Sequence, residues 1–242
     1  MRTSGRNRKT LRGTNARRRW DASRREARRR ELATLRPKAE PLCRTAELGG
    51  LLIKRIDEGA LEDARQLIES GADVHAMTYG RRTALMEAAL FGHKDIVESL
   101  VGRGADVDAK DDGGQTALIR AMHNGHREIA EFLIEKKANV NARDNWGTTV
   151  LMSAVLRGDT ETARMLIQKG ALVDAKDSYG ETALTIAAFK RHVETARMLL
   201  ELGADVNAEN KNGRTAMGYA IGNKDYTMQI VLRPHGAREW VE

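Results

Sequence analysis

TALMEAALFGHKDIVESLVGRGADVDAKDDGGQ, running from Thr83 to Gln115, is the stretch that decides the fold. Its opening Thr83, Ala84 and Leu85 return 33 residues later as Thr116, Ala117 and Leu118. They return again as Thr149, Val150, Leu151 and as Thr182, Ala183, Leu184. A fixed period of this size marks an array of small units, none of which can bury its apolar face without a neighbour. Inside the unit from Thr116, Leu118, Ala121 and Met122 form one helical stripe, and Ile129, Ala130, Leu133 and Ile134 form a second. Gly125 permits the turn between them. Asp111-x-x-Gly114, Asp144-x-x-Gly147 and Asp177-x-x-Gly180 read as turns, with Asp bonding nearby backbone and Gly taking positive φ. Each unit therefore reads helix, tight turn, helix, hairpin.

Working outward, Leu52 precedes Leu85 by one period, and Gly71 to Val74 precede Gly104 to Val107 by the same step. The first unit starts near Thr45, with a helix expected over Leu48 to Ile56 after a short linker from Pro37 to Pro41. At the other end Thr215-Ala216-Met217 and Gly236-Ala237 keep the register, with Pro234 just past the expected second helix. The units are 50–82, 83–115, 116–148, 149–181, 182–214 and 215–242. Ala105, Ala138, Ala171 and Ala204 leave room for a neighbouring helix, and Val107, Val140, Val173 and Val206 are expected to be buried. Three cations interrupt the pattern. Lys137 stands where Gly104, Gly170 and Gly203 stand, and Arg191 and Lys224 stand where Gly92, Gly125 and Gly158 stand. If those positions need positive φ, each substitution costs on the order of 1 kcal/mol.

These residues resemble the ankyrin-repeat family over roughly residues 48–239. The Ala pair, the Gly-His of Gly92-His93, the Ile-Val of Ile96-Val97 and the Gly-Ala-Asp-Val of residues 104–107 fall in the family's register. The family's Pro-Leu-His becomes Ala-Leu or Val-Leu followed by Met86, Ile119, Met152 or Thr185. The resemblance implies an all-α solenoid of helix-turn-helix units joined by β-hairpin-like loops. It also implies a non-enzymatic protein-protein interaction module that grips its partner with the concave face and hairpin tips. Carried over by position, it places Tyr79, Arg82, Asp112, Gln115, Asn145, Trp146, Ser178, Tyr179 and Glu181 at the tips. Leu90, Phe91, His123, Asn124, Leu156, Arg157, Phe189 and Lys190 fall at the ends of first helices. Lys110, Arg143 and Lys176 share one repeat position and should form a row, with Arg103, Lys136 and Lys169 nearby. Aromatics are 4% of the chain, and Tyr79, Phe91, Trp146, Tyr179 and Phe189 lie where a stack does not need them. Trp and Tyr are favoured interface anchors. Beside the cationic row they favour a partner with an acidic patch, and the chain itself is expected to be a monomer.

The formal charge of +7 hides an asymmetry. Residues 1–47 carry 16 Lys and Arg against 5 Asp and Glu, a net +11, and residues 48–242 carry 25 against 29, a net −4. Residues 1–44 therefore read as a basic arm, disordered apart from a helix expected over 22–35. Arg17, Arg18, Arg19, Arg24, Arg25, Arg28, Arg29 and Arg30 could lie along RNA, DNA or a ribosome as phosphate contacts. The competing readings are a solvating tail, a nuclear localisation signal or an organellar transit peptide. Cys43 is the single cysteine, which suits a reducing compartment, and residence is expected to be cytoplasmic. No stretch has the length of a membrane span. No catalytic motif, metal-ligand spacing or cofactor loop is present. His93, His126 and His192 share one repeat position, and Asp106, Asp108, Asp111 and Asp112 recur as turn residues, so both sets read as structural.

Overall fold

A computed structural model describes residues 41–238. Residues 1–40 of the basic arm, with its expected helix over 22–35 and the eight arm arginines, lie outside the described residues, and residues 41–44, expected to belong to the arm, are helical. The first pair of helices is α1 (Pro41–Asp57) and α2 (Leu61–Glu69). Four pairs of nearly equal length follow: α3 (Ala84–Phe91) with α4 (Lys94–Gly102), α5 (Ala117–Asn124) with α6 (Arg127–Glu135), α7 (Val150–Leu156) with α8 (Thr160–Gln168), and α9 (Ala183–Lys190) with α10 (Val193–Glu201). The last pair is α11 (Ala216–Gly222) and α12 (Tyr226–Leu232), closed by a short 3-10 turn over Arg233–His235. First helices pack on first helices from α3 to α11, and second helices on second helices from α2 to α6 and from α8 to α12, as the period requires.

The recurring threonine explains where each first helix starts. Thr83, Thr116, Thr149, Thr182 and Thr215 each take an extended backbone and accept a hydrogen bond from the amide three residues on. One such cap is worth about 1 kcal/mol. α1 begins earlier than the sequence pattern indicates, at Pro41 rather than near Leu48. Proline is well suited to a first helical position, because its missing N–H would have had no partner there. The stretch read as linker therefore ends inside a helix, while the compact repeat unit begins at Ala46.

The core is a set of columns, one residue per unit. Leu85, Leu118, Leu151 and Leu184 are buried, and so are Ala89, Met122, Val155 and Ala188. Truncating one of these leucines to alanine should cost about 2–5 kcal/mol. The valines behave unevenly: Val74 and Val206 are buried, but Val107, Val140 and Val173 are only half-buried. They sit at the hairpin, where one side meets water.

Both cation-for-glycine positions do require a left-handed backbone. Gly104 has φ 86°, and Lys137 takes φ 66° in its place. Gly92 has φ 79°, and Arg191 and Lys224 take φ 63° and 53° there. The inter-helix glycines have a second reason to lack a side chain. A Cβ on Gly92 would meet the His126 ring at 2.6 Å, and one on Gly125 would meet the Arg157 guanidinium at 2.4 Å.

Candidate interaction surface

The hairpin tips are joined into one ladder. Asp112, Asn145, Ser178 and Lys211 each donate a backbone N–H to the tip of the preceding unit, at Gly80, Gly113, Trp146 and Tyr179. Each turn is closed from within by its Asx residue. Asp144 Oδ1 accepts from the amides of Trp146 and Thr148, and Asp177 Oδ1 accepts from Tyr179 and Glu181. The acids near Asp111 are spent the same way. Asp106 accepts from the Asp108 amide, Asp108 from the Asn139 amide one unit on, and Asp111 from Gln115. Asp106 and Asp111 close turns, and Asp108 ties its hairpin to the next unit.

This ladder holds Tyr79, Trp146 and Tyr179 outward, with the Trp146 side 56% exposed although the tip backbone is fixed. Phe91 and Phe189 are exposed at the ends of α3 and α9. Phe91 stacks on His93 at 6.0 Å, and Phe189 meets Tyr219 edge-on at 5.5 Å with the Lys190 ammonium 5.4 Å from its ring centre. These two rings thus have local support, which fixes their orientation. Asn124 is exposed beside them at the end of α5, donating to the Arg120 carbonyl.

The cationic row is present, with a use of its own. Lys110 Nζ donates to the Arg143 carbonyl at 2.9 Å, Arg143 to the Lys176 carbonyl at 3.1 Å, and Lys176 to the Glu209 carbonyl at 2.8 Å. Each cation ties its unit to the next. A lysine here still has ammonium protons to offer, but its chain is anchored along the seam.

A similar economy governs the ends of the first helices. The carbonyls of Leu90, His123, Leu156 and Phe189 recur at one repeat position, and each accepts from the following unit. His126 and His192 supply the donor in two cases, through Nε2. In the other two the histidine position holds Asp159 or Asp225, which cap α8 and α12 instead. Arg157 and Asn223, two residues earlier, then take over the carbonyl. The histidines are structural, and burial together with the positive charge of His126 lowers the pKa of His93 below its ordinary value.

Two polar clusters escape a reading by apolar period alone. Glu87 is 1% exposed on α3, with Oε1 3.1 Å from Arg82 Nη1 and 3.7 Å from Arg120 Nη1. Arg120 donates to Asp111 Oδ2 at 2.6 Å. The Glu87 oxygens make no hydrogen bond among the described residues, so the attraction is ionic. Three periods beyond Arg120, at Tyr219, the column is filled by a phenol that donates to Glu181 Oε1 at 2.5 Å, and Asn210 donates to the same oxygen at 2.6 Å. Burial first, then the bond to Glu181 and that carboxylate's charge, push the Tyr219 pKa up to about 12. The signal for both was an acid or a hydroxyl ring at helix positions where the stripe should face inward.

Repeated helical pairs, laddered hairpins and an exposed row of tips define a repeat scaffold that works by its surface. Comparison with protein families agrees: the family described as "Ankyrin repeats (3 copies)" matches at residues 52–144, 138–210 and 179–240. The chain belongs to the ankyrin-repeat family, whose stacks generally serve as protein-protein interaction modules and are typically non-enzymatic. Among curated proteins no sequence matches it. No helix among the described residues is long and apolar enough to cross a membrane.

Proposed function

We propose that this chain holds a partner protein bearing an acidic patch against the hairpin tips and the ends of the first helices, without catalysis. The observation that carries this reading is the exposed Trp146 on a tip whose backbone is fixed on both sides. A rigid aromatic loses little entropy on binding and is the commonest kind of hot spot. Tyr79, Phe91, Tyr179 and Phe189 extend the same surface, and Lys110, Arg143, Lys176 and Lys190 surround it with positive charge. His123, Asn124, Leu156 and Arg157 occupy, in the two intervening units, the repeat positions of Leu90–Phe91 and Phe189–Lys190, and complete the proposed surface. Within it Arg157 is the residue most tied to the stack, by its bond to His123.

The test is affinity capture with crosslinking, followed by Trp146→Ala with Phe91→Ala. The double variant should lose about 2–4 kcal/mol of partner affinity with its melting temperature almost unchanged. Equal capture by the variant would remove the proposal. The +11 charge of residues 1–47 supports a second reading, an arm that tethers the chain to RNA or DNA. A gel shift comparing the full chain with one beginning at Pro41 tests it. Salt-sensitive binding should be confined to the full chain.

A further inference from the structure

We infer that the outward face of the last described repeat, built by Ile221, Tyr226, Ile230 and Lys224, docks an acidic amphipathic helix of another protein. This goes beyond the tip surface above and uses none of its residues.

The argument starts from register. Ile221 is 41% exposed, yet its counterparts Ala89, Met122, Val155 and Ala188 are all fully buried by the unit that follows each of them. Tyr226 is 71% exposed, at the position from which Lys94 and Thr160 reach the next unit's second helix. Ile230 is 67% exposed, at the position from which Arg164 reaches Glu201. Ile221 therefore stands where the following unit seals every earlier counterpart, and Tyr226 and Ile230, one turn apart on α12, put apolar side chains at positions that carry half-exposed cations such as Lys94, Arg127, Arg164 and Arg197 in earlier units. Lone exposed residues of this size call for no explanation, but three large apolar side chains exposed on the last described helix pair do.

Charge then selects the occupant. In the second-helix layer the ion pairs between units all run one way. The cation is on the earlier unit and the carboxylate on the later one: Arg65 to Asp95, Lys94 to Glu128, Arg164 to Glu201, Arg191 to Asp225. Lys224 is exposed at the repeat position of Arg191. Asp225, next to it in the chain, is buried and bonded to Arg191, so it does not face Lys224's side of the pair. The face thus offers the Lys224 ammonium in the direction in which the second-helix layer finds acids. The Gly222 carbonyl continues the series of Leu90, His123, Leu156 and Phe189, each of which accepts a donor from the next layer. A helix with an apolar stripe, flanking carboxylates and one side-chain donor satisfies all of these. A second copy meeting this face with its own would set Lys224 against Lys224, which charge disfavours.

The test titrates the full chain with a fluorescent synthetic helix of about five turns, carrying leucines on one stripe and glutamates beside them. A matched helix with lysines for glutamates is the control. The glutamate helix should bind with a dissociation constant on the order of 10 μM, and Ile230→Glu should weaken it about tenfold or more. Lys224→Glu should reverse the preference, losing the glutamate helix and gaining the lysine one. Trp146→Ala with Phe91→Ala should leave this binding unchanged, so the tip surface and this face fail independently. Ile230 is already in solvent, and an unchanged melting curve confirms that its variant is folded. The inference is overturned by equal binding to Ile230→Glu, or by loss of binding in the Trp146 and Phe91 variant. It is also overturned by a dimer in sedimentation that Ile230→Glu disperses, by phosphatidylserine vesicles binding where the helix does not, or by a chain ending at Arg238 that binds the helix far more tightly.

Discussion

The column that begins at Glu87 carries an ionic set in the early repeats and, after Ser153 and the apolar Ile186, ends at Tyr219 in a phenol bonded to a carboxylate. In the early repeats Glu87, Arg82, Arg120 and Asp111 form two cations and two carboxylates, with Glu87 sealed from water. In the late repeats Tyr219, Asn210 and Glu181 share one carboxylate oxygen, under an Arg214 guanidinium 5.1 Å above the phenol ring. The backbone is the same in both places. The difference teaches that an inward position on a first helix specifies volume and a satisfied polar balance, not a residue type. It also means that the two ends of the stack should fail under different insults.

Arg120→Met is the strongest way to break the comparison. It removes the one cation that both Glu87 and Asp111 share and leaves a sealed carboxylate with only Arg82 beside it. Breaking one partner out of a buried ionic set costs about 3–5 kcal/mol. Urea unfolding should show that loss. Replacing Glu87 with Met in the same background should restore part of it, because the orphaned charge then goes as well. If Arg120→Met costs less than the late-repeat change below, the charge set is not what holds the early repeats.

The period alone gave the helix pairs and the glycine turns, because those depend on local chemistry that recurs; the capping role of the recurring threonines came only with the structure. Trp146 and Phe91 were also legible, since an aromatic at a tip or helix end breaks an otherwise small-residue pattern. What the period could not give was the work done by side chains across units. Lys110, Arg143 and Lys176 look like a free cationic row in sequence, and their bonds to carbonyls 33 residues on appear only once the units are stacked. Arg157 standing in for a histidine is of the same kind, since the substitution at Asp159 and its compensation lie at different positions. Pro41 misled for a simpler reason: a proline both ends and begins helices, and only the chain on its far side decides.

Tyr219→Phe is the matching change in the late repeats. It removes a hydrogen bond to a charged acceptor at a half-buried site and should cost about 1–2 kcal/mol at neutral pH. The neutral phenol is the form the fold favours, because its pKa is raised from 10.0 to about 12. The stabilisation is therefore whole below pH 10 and is lost as pH rises through about 12. Denaturant midpoints followed across that window should fall more steeply for the parent chain than for Tyr219→Phe. A late step in the tyrosinate absorbance should vanish with the same substitution. Parallel slopes would show that the phenol is no more constrained than a surface one.

The smallest effects sharpen the comparison at the turns, where the early inter-helix positions hold Gly59, Gly92 and Gly125 and the late ones hold Arg191 and Lys224. Lys224→Gly relieves a left-handed backbone at φ 53° and should stabilise the chain by about 1 kcal/mol. Arg191→Gly relieves the same kind of strain but surrenders the pair with Asp225, whose side chain is 5% exposed. The two contributions are of similar size and opposite sign, so its net change should lie near zero. Thermal melts of the two variants decide between strain and pairing as the reason these turns differ. If both substitutions stabilise equally, the pair with Asp225 contributes nothing, and the late turns are simply strained. If neither does, a lysine or arginine rests in this backbone as comfortably as glycine, and the contrast between early and late turns has no energetic content.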